Sequence, residues 1–477
     1  MRKKGSVTVF LTLILSLLLS LICASIESVR MASARTQILN GMDIGLYSLF
    51  GQYDKELLTD YDLFALDGSG GGGQLDLAAV CDELEAYMNP VLKQNSQKLT
   101  LCQSGLTGYR LLTDQKGEAF YQQIVGYMQE TLGSQGIQLL LGRMSERQEK
   151  TAQADQSANQ AQSKGSIDRY DSEMNQASEK SQQAAEEAQV VPQAPPAKNP
   201  ITIMKRIMKR GVLELVLPGG NGLSTKAIEK GTLVSGRGLQ QGMEMPDGMT
   251  VENSYTSEVL FQQYLMEHLG SYAEPSSAGL AYQMEYIFGG KDSDEDNLKA
   301  VASKLLFIRE GVNFACLMAD NVKRSEAQAL ATAIASGFLV PPAAVIIEAA
   351  LILCWAFAES VLDVRELFAG GRIPLVKSSA DWQISLGNLP DLMEGLDSMR
   401  RNDEKGMSYK DYLQVLVLTV SKEKKVMRAM DMIENTIREK GRRNFCMDSC
   451  IVALEAFADV KANKKKDFQV IRQYCYE

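Results

Sequence analysis

Nineteen consecutive positions, Ser6 to Ala24, carry no charge and are mostly apolar. At a helical rise of about 1.5 Å per residue they span about 28 Å, close to the hydrocarbon core of a bilayer. Glu27 and Arg30 close the run, and a helical stripe follows. Ile38, Met42, Leu46, Leu49, Tyr53 and Leu57 recur at intervals of three and four, which places them on one helix face. No proline falls between Ser6 and Leu58, so the pattern predicts one continuous helix of about 80 Å. Its first half suits lipid, and its second half lays an apolar face on a folded domain. Gly41 and Gly45 fall on that stripe. Each weakens an isolated helix by about 1 kcal/mol, and together they predict close approach of another element.

Farther along, Asp60 to Asp67 alternates and predicts a short strand. Leu75 to Leu92 has helical spacing. Leu101 to Leu112 reads as strand, with Gly105 and Gly108 as turn points, and Phe120 to Leu141 as helix, interrupted near Gly133 to Gly136. Residues 143–200 contain no leucine or phenylalanine, and Tyr170 is their sole aromatic. Such a segment buries too little apolar surface to offset chain entropy, so it reads as a disordered or loosely helical insertion. Beyond it, Ile201 to Val216 predicts a helix running into a strand, Ser254 to Leu269 a helix, and Leu280 to Phe288 a strand. A long helix is expected from Asp294 to Asp320, a second reaching Ser336, and a third from Pro341-Pro342 to Gly370-Gly371. A short strand over 381–386, helices over Tyr409 to Val420 and Glu423 to Lys440, and a C-terminal hairpin complete the reading. In that hairpin Val452, Leu454, Ala456 and Val460 answer Phe468, Val470, Tyr474 and Tyr476, with KANKKK as the cationic tip.

The resulting class is α+β. A basic tip (1–5) leads into a transmembrane helix (6–24), then a stalk helix with a first α+β part (25–142), the insertion (143–200) and a main α+β domain (201–477). Ala327 to Ile347 is also uncharged. The two prolines and the polar edge of Gln328, Thr332 and Ser336 favour a buried helical hairpin there over a second span.

Charge and cysteine usage narrow the function classes. The net charge of −9 argues against nucleic-acid binding, which needs a basic field. Residues 421–477 nevertheless hold thirteen Lys or Arg against nine Asp or Glu, a surface that could meet anionic wall polymers or lipid. The eight cysteines (23, 81, 102, 316, 354, 446, 450 and 475) form no CxxC pair, and there is one histidine, so no Cys/His zinc site is expected. Cys81 with Cys102 is the one bridge considered.

Arg2, Lys3 and Lys4 on the leading flank predict a cytoplasmic N-terminus and an extracytoplasmic bulk. A cleaved signal would use Ala32-Ser33-Ala34, but Glu27 and Arg30 intervene. Ile22 before Cys23 opposes lipoprotein processing. A prepilin-like start would trim at Gly5, although Phe10 stands where prepilins carry glutamate. A retained anchor, with or without trimming, is the expectation.

Candidate chemistry is sparse. Asp292, Asp294 and Asp296 alternate as in a calcium loop, but Asn297 and Ser303 hold the positions where an EF-hand needs glycine and glutamate. The segment therefore reads as an acid-rich helix start. Glu348, Glu359, Asp363, Arg365 and Glu366 crowd one apolar helix. Glu359 and Asp363 at i,i+4 could serve acid–base work or form a polar seam compensated by Arg365 or Arg309. His268 lies near no GxSxG, HExxH or P-loop pattern. No catalytic, cofactor-binding or metal-binding residue is assigned.

The stretches KGSVTVFLTLILSLLLSLICASIESVR, YDKELLTDYDLFALD, EYIFGGKDSDEDNLKAV, WAFAESVLDVRELFAGGRIPL, SCIVALEAF and IRQYCYE carry a resemblance. Together they resemble a family of membrane-anchored proteins found with tight-adherence (Tad-type) pilus and secretion loci of Gram-positive bacteria, distantly similar to TadE/TadG-type pseudopilins. The resemblance implies a non-enzymatic structural or assembly component whose partners are membrane lipid and pilus or secretion-complex proteins. Two alternatives stand beside it. One is an envelope enzyme acting on wall polymer through acids near Glu359 and Asp363. The other is a surface binding or adhesion module.

Overall fold

The computed structural model describes residues 4–93, 99–164, 172, 176, 179, 199–217, 222–243, 245, 254–337, 343–378, 381–396, 406–462 and 466–476. In chain order the elements begin with α1 (Lys4–Phe50), α2 (Lys55–Tyr61), β1 (Leu66–Asp67), α3 (Leu77–Lys93), β2 (Leu99–Leu111) and α4 (Asp114–Lys164). Next come α5 (Pro200–Met208), α6 (Val212–Val216), α7 (Tyr255–His268), α8 (Gln283–Gly289), α9 (Asp294–Ala319), α10 (Asn321–Gly337) and α11 (Ala344–Phe368). The remainder is β3 (Arg372–Ile373), α12 (Leu392–Gly395), β4 (Met407–Ser408), α13 (Tyr409–Leu418), α14 (Lys422–Glu439), β5 (Cys450–Ala462) and β6 (Lys466–Cys475). The architecture is α+β, mostly helical, with small antiparallel sheets, an N-terminal apolar helix and a C-terminal strand pair. Two compact units form: Met1–Tyr127 with Gly231–Glu252 and Ile437–Glu477, and Met128–Lys230 with Asn253–Thr436.

The first unit is built on α1 and a sheet with β5 at its centre. β2 pairs antiparallel with one edge of β5, and β1 and β6 pair with the other. Across the hairpin Leu454 faces Tyr474, Ala458 faces Val470, and Val460 faces Phe468. These residues join Ala34, Ile38, Met42, Leu46 and Leu49 of α1 in one core. The stripe read from the sequence is therefore the docking face. Gly41 and Gly45 admit α3. A Cβ at Gly45 would stand 2.6 Å from Met88 Cγ, and one at Gly41 3.3 Å from Leu92 Cδ2.

The predicted helix to Leu58 is corrected here, because α1 ends at Phe50, a length of about 70 Å. Gly51 follows, and the Asp54 carboxylate accepts from the N–H groups of Glu56 and Leu57 at 3.0 Å to start α2. Consequently most of the expected 60–67 strand is helix and turn, with Leu66–Asp67 alone in the sheet. Gly105 and Gly108 are not turn points either, since β2 runs through both with register shifts. A Cβ at Gly105 would meet Phe457 Cε1 at 2.6 Å, so that glycine seats a ring. The bridge considered between Cys81 and Cys102 is absent, and both are free thiols.

The second unit packs α9, α10 and α11 as a helical core in which α11 is almost entirely buried. The uncharged run 327–347 is divided between α10, ending at Gly337, and α11, starting at Ala344. The expected break at Pro341-Pro342 lies outside the described residues. Residues 143–164 of the insertion continue α4. Ala158 seats against Gly311, where a Cβ would lie 2.3 Å from the Ala158 nitrogen, and Lys304 pairs with Asp155 at 2.8 Å. Small residues thus dock a segment whose one large apolar side chain is Met144, itself buried. The interruption expected near Gly133 is a local left-handed residue, φ +61°, inside an otherwise continuous helix.

Two further strands expected in this unit are helices. Residues 212–216 form α6, and residues 283–289 form α8. Every residue from Leu280 to Ile287 is buried, so the apparent alternation there reflected complete burial and not a sheet face.

Gly45→Ala is expected to overpack the α1–α3 contact by about 1–3 kcal/mol, partly offset by helix propensity. Gly41→Ala meets a contact that needs only a few tenths of an ångström of relief. Thermal unfolding of the full chain in detergent should rank Gly45→Ala below Gly41→Ala, and the reverse order would show that the glycines do not set this approach.

Candidate functional site

The acid-bearing helix proposed from sequence is α11. Its run of apolar residues buries the helix on all sides, and Glu359 and Asp363, one turn apart, are buried with it. Burial alone would raise the Asp363 carboxyl. Arg309 and Lys377 instead hold it below the ordinary carboxylate range. Arg309, from the middle of α9, donates from Nε (3.0 Å) and Nη2 (2.8 Å) to Asp363 Oδ2. Its Nη1 donates to the carbonyls of Pro374 and Leu375 and to the Tyr412 hydroxyl. Lys377 lies 2.6 Å from Asp363 Oδ1 and also pairs with Glu359. Asn313 donates to Asp363 Oδ2 and to Ser360.

Glu359 organises a loop. Its carboxylate accepts from the backbone N–H groups of Gln383 and Ile384. The Ile384 carbonyl in turn accepts from the indole nitrogens of Trp355 and Trp382. This corrects the strand expected over 381–386: backbone N–H groups there donate to a carboxylate and a carbonyl accepts from an indole pair, in place of a neighbouring strand. Arg365, one of two candidate compensators, is not used for the acids. It donates to the carbonyls of Leu215 and Leu217 at the end of α6. Glu348 stands half-buried near the start of α11. A cleft of about 420 Å³ is lined by Lys150, Ser157, Cys316, Asp320, Lys377 and Ser378. The Lys377 ammonium is engaged with Glu359 and Asp363, neither of which lines that cleft. The cluster as arranged holds α9, α11 and the 374–384 loop together. Both carboxylates are spent on cations and backbone donors.

The other candidates separate. Ser293 caps α9 by accepting from Asp296 N–H at 3.1 Å. Asp292 faces Lys230 (3.8 Å) from an exposed position. Asp294 turns inward and accepts from Ala281 N–H, Tyr282 N–H and Ser224 Oγ. The three carboxylates therefore diverge, which suits a helix start. His268 stacks on Tyr264, with Nδ1 3.0 Å from the Tyr264 carbonyl.

Several buried acids escaped the sequence reading, Glu285 among them. Glu285 in α8 accepts from Tyr272 N–H (2.9 Å) and the Tyr409 hydroxyl (2.6 Å). Burial pushes its carboxyl up to about 7, against the pull of those two bonds. It sits inside EYIFGG, where nothing distinguishes it from a solvated glutamate. Lys377 and Tyr412 were equally silent, because their partners are distant in sequence.

The remaining exposed feature is α1. From Val7 to Arg30 every side chain is exposed, and the helix is long and apolar enough to cross a membrane. Hydroxyls of Thr12, Ser16, Ser20 and Ser25 donate to carbonyls three or four residues back, so they demand no outside partner. Fold and site together define an α+β protein with a candidate N-terminal membrane helix and a charge-clamped helical core. The chain belongs to the family of unknown function DUF5702, whose sequence model matches residues 192–462. No curated protein and no solved structure matches it.

Two outcomes are expected. Asp363→Asn leaves Arg309 and Lys377 short of one buried counter-charge and should cost about 3–5 kcal/mol. Urea unfolding can follow this by the fluorescence of Trp355 and Trp382, and a change below about 1 kcal/mol would show the clamp to be dispensable. Glu285 binds its proton more tightly folded than unfolded. Its contribution is fully present below the ordinary carboxylate value of 4.5 and is lost as pH rises to about 7, on the order of 3 kcal/mol. Unfolding midpoints measured from pH 4.5 to 8 should flatten in Glu285→Gln relative to the parent, and unchanged steepness would remove Glu285 from the titration.

Proposed function

We propose that the chain is a non-enzymatic, membrane-anchored envelope protein that serves as a structural or assembly component of a Tad-like pilus or secretion apparatus. The observation that carries the reading is the division of α1. One unbroken helix exposes a bilayer-length apolar surface at its start and becomes the core spine of a sheet domain at its end. A helix used that way transmits position from membrane to domain with no flexible joint, which suits assembly more than turnover. The leading cations orient the N-terminus toward the cytoplasm and the two units outside. The resemblance to TadE/TadG-type pseudopilins names the apparatus. An envelope hydrolase acting through Glu359 and Asp363 would need a carboxylate free to reach polymer, and both are buried in ion pairs.

The test uses cells that make the chain. Alkaline washing of membranes should leave it in the pellet, and mass spectrometry should find an N-terminus that retains Ser6–Ala24. Crosslinking should recover pilus or secretion proteins with it, and its deletion should abolish their assembly. Intact assembly after deletion, with no apparatus protein recovered, would overturn the assembly role. A soluble chain cut after Ala34 would overturn the anchor.

A further inference from the structure

The apolar run of α1 and the end of the β5–β6 hairpin marked by Lys461 and Lys466 lie at the same end of the first unit. Arg472 pairs with Asp43 at 2.9 Å, and Tyr474 packs edge-on against Tyr47 with centroids 6.4 Å apart. Strand β6 therefore runs in the same direction as α1. Lys466 precedes Arg472 by six residues, about 20 Å of strand. That length equals about 13 residues of helix, which brings Lys466 level with Arg30. Lys461 sits across the hairpin, with Asp467 as its register partner.

Arg30, Arg35, Lys461 and Lys466 are all exposed. Glu27 and Asp467 oppose them, the latter 3.8 Å from Lys461. Four cations against two acids stand out in a chain whose net charge is −9. At the other end of α1 the acids are paired, Asp54, Glu56 and Asp67 with Arg442 and Asp60 with Lys440. Arg30 lies about 9 Å beyond Ala24 along the helix. A headgroup layer is about 6 Å deep, and electrostatic attraction reaches about 8 Å further at physiological salt.

We propose that this cationic collar binds the anionic headgroups of the membrane that α1 enters, seating the Lys461 and Lys466 end of the hairpin on the lipid surface. The inference rests on the anchor reading above and adds a lipid class and a second contact to it. Position decides for lipid over a wall polymer, since the cations gather where the helix leaves the bilayer. The contact does not depend on which side of the membrane the units occupy.

The test places the full chain in lipid nanodiscs of phosphatidylcholine alone or mixed with phosphatidylglycerol. Brief amine acetylation then reports each lysine by mass spectrometry, with Lys55 as the reference. In the anionic discs Lys461 and Lys466 should react about fivefold more slowly than in the neutral discs, the factor expected for about 1 kcal/mol per cation. High salt should restore their reactivity, and Lys55 should not change. Equal reactivity in the two disc types, with the chain co-eluting with both, would overturn the collar and leave the anchor standing. Failure to co-elute with either disc would overturn the anchor and the collar together. Equal protection by soluble polyphosphate without discs would overturn lipid as the ligand in favour of an anionic polymer.

Discussion

The Arg309–Asp363 pair is the contact on which the second unit depends. An apolar helix such as α11 could not carry Glu359 and Asp363 into the core unaided, because each uncompensated charge would cost several kcal/mol. Arg309 supplies a planar fork that meets one carboxylate with two donors and three oxygens with the rest. Lys377 then closes the second carboxylate and anchors the loop that carries it. The same charges that make the core costly also leave it one register: α9, α11, α13 and the 374–384 loop must all be in place before any of them is neutral. Hydrophobic burial alone would tolerate sliding of α11 along its apolar neighbours, whereas a fork and an ammonium do not.

In the first unit the equivalent constraint is steric. Helix α1 reaches the sheet with Ala34, Ile38, Met42 and Leu46, and reaches α3 only because two positions lack a Cβ. Strand β5 answers with alanines at 456, 458 and 462, which keep the sheet face shallow. Charge is used at the margin. Arg442 ties Asp54 and Asp67 together where α1 has ended, and Asp448 holds Arg237 and the Gln240 N–H. The family match begins beyond α1 and includes β5, while β1, β2 and β6 lie outside it.

What was legible in the sequence follows from what sets local period. The α1 stripe, the long helices α9 and α11, and the terminal hairpin were readable because one face differs from the other over many residues. Of the four strand readings that failed, three failed for separate reasons. At 280–288 total burial erased the difference between faces. At 381–386 the backbone donors found Glu359 and not a strand. At 60–67 an aspartate cap began a helix that the alternation concealed. The ion cluster was half legible: Glu359, Asp363 and Arg309 stood out as charges in apolar surroundings. Lys377 did not, because its role is fixed by a loop that folds back across more than a dozen residues. Glu285 left no local mark at all.

Helices α1 and α11 pass the same test of length and apolar character, and their surroundings differ completely. The most apolar window of α11 is 78% buried, and that of α1 is 0% buried. Composition could not separate them, but the placement of polar groups does. Within α11 Glu359, Asp363 and Arg365 lie on the second half of the helix, and each is answered by groups from other elements. Within the apolar run of α1 the polar groups are hydroxyls that answer to carbonyls of the same helix. A helix that satisfies all its own polar groups needs nothing from its solvent, and a hydrocarbon solvent offers nothing. The apolar run of α1 is therefore the candidate membrane helix and α11 a buried core helix, a difference that lies in their surroundings and not in their composition.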